Sequence, residues 1–173
     1  MPLDLKAHIR SVPGFPKEGI LFYDIGTLLG HGPAWQETID RLEVIVREDV
    51  PDFLIAVESR GFLVAAPLAA RLGIGLIMVR KKGKLPGKTQ SYSYELEYGT
   101  DTLEIQEGLI TVGQRGVIID DLLATGGTTA ATIHLARQMG VDLVRAVYII
   151  ELPFLNGRQK IDIPVSSLLS YDE

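Results

Sequence analysis

The chain has 173 residues, 46% of them hydrophobic, and a formal net charge of −5. That suits one domain with a sizeable core and argues against nucleic acid as a partner. With no cysteine, disulfides, thiolate zinc sites and cysteine nucleophiles are excluded, and a reducing, cytoplasmic setting is expected.

Leu3 to Arg10 reads as a short helix. Met1 to Phe15 is charged and has no apolar run, so no signal peptide is expected. Ser11 to Phe22 carries Pro13, Gly14, Pro16 and Gly19 and reads as an ordered loop. Trp35, Ile39, Leu42, Ile45 and Val46 have helical spacing, which predicts a helix over 33–48. Phe53 to Val57 reads as a buried strand, Phe62 to Leu72 as a helix and Ile74 to Val79 as a strand. Arg71, Pro67 and several glycines break the apolar stretch from Gly61 to Val79, so it is no membrane span. Residues 81–93 read as a long mobile loop and Thr102 to Gln106 as an edge strand. Val117 to Ile119, Leu143 to Ile150 and Ser166 to Leu169 complete the strands, and Ala130 to Met139 is a helix stopped by Gly140. Strands alternating with helices predict an α/β fold with a parallel sheet, whose ligands bind beyond the carboxyl ends of the strands.

Val117-Ile118-Ile119-Asp120-Asp121-Leu122-Leu123-Ala124-Thr125-Gly126-Gly127-Thr128-Thr129 is the most informative stretch. Glycines let backbone amides approach an anion, a helix N-terminus adds its dipole, and threonine hydroxyls add hydrogen bonds. Asp120 and Asp121 would repel a phosphate in direct contact but suit sugar hydroxyls or a Mg²⁺ that carries phosphate. A phosphorylated ribose satisfies both halves. The loop lacks the lysine of a Walker A motif and the spacing of GxGxxG. A plain strand-to-helix turn needs neither the acid pair nor Thr125-Gly126-Gly127-Thr128-Thr129.

Glu58-Ser59-Arg60-Gly61-Phe62 forms a second strand-to-helix junction, which fits an anion site or an ordinary turn with an exposed arginine. The run Arg80-Lys81-Lys82-Gly83-Lys84 could be a solvated loop. Its place at the ligand edge of an acidic protein favours pyrophosphate or polyphosphate. Ser93 to Gly99 could be a lid carrying an acid or base, or an ordinary surface segment. Phe15 to Ile25 could line a slot for a flat heterocycle, although core packing is the favoured reading of these residues alone. His8, His31 and His134 lack metal-ligand spacing, and no Gly-x-Ser-x-Gly elbow is present.

Over essentially its full length the chain resembles the adenine phosphoribosyltransferases. Val117 to Thr128 resembles the phosphoribosyl-pyrophosphate signature of the type I phosphoribosyltransferases. Phe15-Pro16-Lys17-Glu18-Gly19-Ile20-Leu21-Phe22, Glu58 to Phe62, Val79 to Pro86, Tyr94 to Gly99 and Glu151 to Arg158 carry the adenine branch of the resemblance. It implies a single domain over 1–173: a parallel sheet with helices on both faces, and a small N-terminal hood, residues 1–30, over the base site. The implied reaction converts adenine and phosphoribosyl pyrophosphate to AMP and pyrophosphate with Mg²⁺ in a homodimer.

By the same resemblance Ala124, Thr125, Gly126, Gly127 and Thr128 cradle the 5′-phosphate. Asp120 and Asp121 hold the ribose hydroxyls, and Asp120 is the one candidate protein contact to Mg²⁺. Ser59, Arg60, Arg80, Lys81 and Lys84 bind pyrophosphate, with some of the cations open to supply from a neighbouring subunit. Leu21, Phe22, Arg60 and Leu152 form the adenine slot. Glu97 is the implied acid or base, with Tyr98 beside it on the lid and Arg60 a third catalytic candidate. Tyr23 departs from the family pattern, standing where many members have a basic residue. A hypoxanthine or xanthine enzyme and a non-catalytic sensor of phosphoribosyl pyrophosphate are the competing readings.

Overall fold

The computed structural model describes residues 3–96 and 99–172 and contains two compact units, Met1–Arg41 and Leu42–Glu173. Of the helix expected over Leu3 to Arg10, only Leu5–His8 is helical, as one 3-10 turn capped by the Asp4 carboxylate. Arg10 already lies in a strand, β1 (Arg10–Pro13), paired antiparallel with β2 (Leu21–Asp24). The segment expected as a loop is therefore a hairpin. Its prolines and glycines serve the connection, where Gly14 and Gly19 take φ of +72 and +86, a region glycine enters without steric cost. A salt bridge of 2.6 Å from Arg10 to Asp24 ties the strand ends. Tyr23 is buried on β2, opposite Ser11. Helices α1 (Gly26–Leu29) and α2 (Gly32–Asp49) follow. The first of these carries too few residues to show a period.

The second unit holds the sheet. Its strands are β3 (Phe53–Val57), β4 (Gly75–Lys81), β5 (Thr89–Glu95), β6 (Thr100–Gln106), β7 (Arg115–Leu123), β8 (Asp142–Glu151) and β9 (Val165–Ser170), in spatial order β5-β6-β4-β3-β7-β8-β9. Pairing is parallel from β4 through β9 and antiparallel at β4–β6 and β5–β6. The sheet is thus mostly parallel, with an antiparallel hairpin on one edge.

That hairpin corrects two expectations. Residues 81–93 are not a mobile loop: β4 runs to Lys81, and Thr89 to Glu95 is strand. The turn between them is anchored by Lys82 N–H donating to the Thr102 carbonyl at 3.1 Å and Gly83 N–H to the Glu104 carboxylate at 2.9 Å. The Ser/Tyr alternation of 91–94 is a strand period that polar composition disguises. Tyr92 and Tyr94 pack against the core, and Tyr92 stacks on His134 with ring centroids 3.9 Å apart. In turn β6 is not an edge, because β5 covers it.

Helix α3 (Arg60–Leu72) leads from β3 to β4, and α4 (Gly127–Gln138) from β7 to β8. These crossovers run in opposite directions from the sheet centre, so right-handed connections put the two helices on opposite faces. Helix α3 ends at Gly73, which has φ of +68, the left-handed cap that glycine favours. On the α4 side, Ile55, Ile118, Ile133, Leu135 and Tyr148 form the centre of a buried cluster. Chain order reverses between β3 and β7, and the crevice at their carboxyl ends is where doubly wound sheets bind ligands. Among the described residues no helix is long and apolar enough to cross a membrane.

Candidate active site

A cleft of about 490 Å³ opens at that reversal, between the Glu58–Arg60 junction and Asp120 to Thr129. The strand signal in the sequence stops at Ile119, yet β7 continues to Leu123 through pairing with β8, Leu122 facing Ile150 and Leu123 facing Glu151. Both aspartates are therefore strand residues. Helix α4 begins at Gly127, three residues before the expected Ala130, so Thr128 and Thr129 lie in its first turn and the loop proper is short. Gly126 has φ of +78, and a Cβ there would collide with the Gly157 carbonyl. A Cβ on Gly157 would in turn collide with the Ala124 carbonyl. Two glycines from distant segments thus let the backbone of 156–158 brace the loop.

The two threonines at the start of α4 differ in use. Thr129 is buried and bonds the Tyr148 hydroxyl at 2.6 Å inside the core. Burial drives the Tyr148 phenol well above its ordinary range, so it stays a neutral anchor. Thr128 faces the β5 strand, its hydroxyl 3.3 Å from that of Tyr94.

Asp121 is nearly inaccessible and meets Arg60 Nε at 2.9 Å. Its N–H donates to Asp120 Oδ1 at 2.8 Å. Burial, then repulsion from Asp121, pushes the Asp120 carboxyl well above the usual carboxylate range, and Arg60 only partly offsets them. The two acids are therefore held differently: Asp121 is anchored by Arg60, and Asp120 stands beside it without that direct ion pair. Gly61 makes the approach of α3 possible, since a Cβ there would lie 3.0 Å from Asp120 Oδ1 and 3.1 Å from the Ile119 carbonyl.

On the other wall, Glu58 lies at the end of β3 with its carboxylate 7% exposed. It accepts from Arg80 Nε at 2.8 Å, from Lys84 Nζ at 2.7 Å and from the Lys81 N–H at 3.3 Å. Burial would raise this carboxyl, but the hydrogen bonds from Lys84, Arg80 and Lys81 outweigh it and hold the group below its ordinary value. The Lys81 side chain pairs instead with Asp101 at 3.2 Å. The basic run is thus divided, Arg80 and Lys84 meeting on one carboxylate and Lys81 turned to another.

Leu152 is buried directly after β8, its N–H donating to the Leu123 carbonyl at 3.0 Å. Preceding it, Glu151 is gripped by Arg158, 2.7 Å from Nη2, and by Ser167 Oγ at 2.7 Å. Leu21 and Phe22 belong to β2 of the first unit, where Phe22 packs edge-on against Phe15 with centroids 5.0 Å apart. Glu97 and Tyr98 lie outside the described residues. Their neighbours Leu96 and Gly99 are joined by a backbone bond of 2.9 Å.

Ser59, Arg60, Asp120, Asp121 and Ala124 to Thr128 thus line one cleft, and Arg80 and Lys84 reach its wall through Glu58. Sequence reasoning missed Glu58, Tyr94 and Gly157. Glu58 had a signal, a carboxylate closing a wholly apolar strand in a chain with an unexplained basic run. Tyr94 and Gly157 had only their place in the resembling segments, because each acts through a partner more than 30 residues away in the chain. Among the described residues no cluster of three or more His, Cys, Asp or Glu could hold a metal ion.

Residues 27–168 match the family described as the phosphoribosyl transferase domain. The chain is 59% identical over 170 residues to the adenine phosphoribosyltransferase of Rhodospirillum centenum, covering 98% of this chain and 99% of that protein. It is 56% identical over 171 residues to that of Acidiphilium cryptum, covering 99% and 100%. The solved adenine phosphoribosyltransferase of Thermoanaerobacter pseudethanolicus superposes with a TM-score of 0.93 at 47% identity, covering 96% and 98% of the two chains. That of Saccharomyces cerevisiae, complexed with an imino-altritol bisphosphate and adenine, gives 0.91 at 42% identity, covering 95% and 96%.

Proposed function

The chain belongs to the adenine phosphoribosyltransferase family, a branch of the type I phosphoribosyltransferases, and we propose that its cleft transfers phosphoribose from phosphoribosyl pyrophosphate to adenine, as in purine salvage. The carrying observation is the cleft itself. A glycine-braced loop at a helix N-terminus and an acid pair share about 490 Å³ with the Ser59–Arg60 junction.

The amides of Ala124 to Thr128 and the hydroxyls of Thr125 and Thr128 hold the 5′-phosphate. Asp120 and Asp121 take the ribose hydroxyls. Carboxyl groups accept from hydroxyls, so two of them side by side suit a diol. Ser59, Arg60, Arg80, Lys81 and Lys84 receive pyrophosphate, the leaving group on which negative charge grows as the anomeric carbon becomes cationic. Arg60 and Leu152 bound adenine within the second unit.

Glu97 exchanges a proton with the purine imidazole, and Tyr98 helps close the lid against water that would hydrolyse the activated sugar. Mg²⁺, held mainly by substrate with Asp120 as the protein contact on offer, supplies charge neutralisation on the leaving pyrophosphate when bound. The acid pair fits such a substrate-borne ion better than a resident one, since it provides two carboxylates, one already committed to Arg60. A cytoplasmic homodimer completes the reading.

Supplying phosphoribosyl pyrophosphate, Mg²⁺ and each purine separately, and measuring pyrophosphate release, tests it. Release with adenine alone is expected. Release with hypoxanthine or xanthine would transfer the assignment to another base, and tight binding without turnover would make the protein a sensor.

A further inference from the structure

Of the ionisable groups lining the cleft among the described residues, Glu58 is the one the reaction above does not use. It stands among residues assigned to an anion, yet it is itself an anion. Its two oxygens take one cation each, Arg80 on Oε2 and Lys84 on Oε1. We propose that Glu58 is a positioning residue that stands in for pyrophosphate, holding Arg80 and Lys84 at the cleft wall until the ligand takes them over. The inference rests on the reading that pyrophosphate occupies this cleft.

Two physical bounds and two observations carry it. Without a counter-ion, neighbouring cations would repel and turn into solvent, and ordering their long side chains at each turnover would cost binding energy. A fully sealed counter-ion would hold them permanently, because breaking a buried pair is expensive. Here the carboxylate is 7% exposed while its partners are 32% exposed at Arg80 and 50% at Lys84. Half-exposed pairs contribute at most about 1 kcal/mol each, so a polyanion with several oxygens can displace them. The Lys81 backbone N–H, 3.3 Å from Oε2, stays with Glu58 when the cations leave, so the carboxylate is not stranded.

Glu58→Gln keeps the shape and an acceptor but removes the competing charge. Titration calorimetry with pyrophosphate should show Kd about fivefold lower in the variant, the worth of one partly exposed ion pair no longer opposing the ligand. In steady state KM for phosphoribosyl pyrophosphate should fall while kcat does not rise. Unchanged or weaker pyrophosphate binding would overturn the proposal, and weaker binding is what a merely structural role gives. A crystal structure of the wild-type protein with pyrophosphate tests the exchange without substitution. Arg80 and Lys84 turned from Glu58 onto the phosphates support it, and both pairs intact refute it. Wild-type protein that binds pyrophosphate but makes no AMP would count against the assigned reaction, leaving Glu58 judged on binding alone.

Discussion

The two regions of the cleft proposed to hold anions are built in opposite ways. The loop from Ala124 to Thr128 is a backbone device. Its shape comes from a positive φ at Gly126 and from contact with Gly157, and no charged side chain belongs to it. The wall carrying Arg80 and Lys84 is a side-chain device, balanced by Glu58 and half open to solvent. A phosphate that stays on the sugar throughout suits a fixed cradle, and a pyrophosphate that must leave suits cations with somewhere else to go.

The largest expected effect lies in neither region. Glu97→Ala should lower kcat by about 10²–10⁴-fold, the usual contribution of a general acid or base, with the KM for phosphoribosyl pyrophosphate little changed because both anion regions remain. A near wild-type kcat in a steady-state assay would remove Glu97 from the chemistry.

Gly126→Ala attacks the backbone device. The added Cβ meets backbone rather than a flexible side chain, so about 3 kcal/mol of stability should be lost, with ribose 5-phosphate binding lost as well. Urea unfolding and calorimetry would check both, and an unperturbed variant would mean the loop is not braced as described.

Asp120→Asn separates the acid pair. A carboxyl whose folded pKa is raised contributes stability that is present below its unfolded pKa and is lost as pH rises through the folded value. The substitution should therefore raise Tm at pH 8, leave it little changed near pH 3, and lower turnover. An equal Tm shift at both pH values would show that ionisation is not the cause.

The smallest effect is at the brace. Hydrogen bonds from Arg158 hold the Glu151 carboxyl below its ordinary value, against the opposing influence of burial. Stability from this pair should be present above the ordinary carboxylate range and lost as pH falls. Glu151→Gln should cost about 1 kcal/mol at pH 7, since Arg158 is half exposed, and almost nothing at pH 3, as read by denaturant unfolding.

The sequence shows the backbone device more clearly than the side-chain one, for a physical reason. Gly126, Gly127 and the aspartates are contiguous, so one window of sequence holds most of that site. The loop's brace, Gly157, and the counter-ion of the basic run, Glu58, are remote from what they serve, and only the folded sheet brings them together. Core strands were legible because β3 and β7 are buried on both sides. The β1–β2 hairpin and strand β5 were not, because prolines and glycines in the one and serines in the other masked a period of two. The end of β7 was misplaced because Asp120 and Asp121 interrupt the apolar run while pairing with β8 continues.

The central claim is that this cleft delivers its sugar to adenine and not to water. Incubating the wild-type protein with adenine, phosphoribosyl pyrophosphate and Mg²⁺, and quantifying AMP and pyrophosphate together by chromatography, tests it most directly. The two products should appear in equal amounts and only when adenine is present. Pyrophosphate formed without AMP, or at the same rate without adenine, would contradict the account.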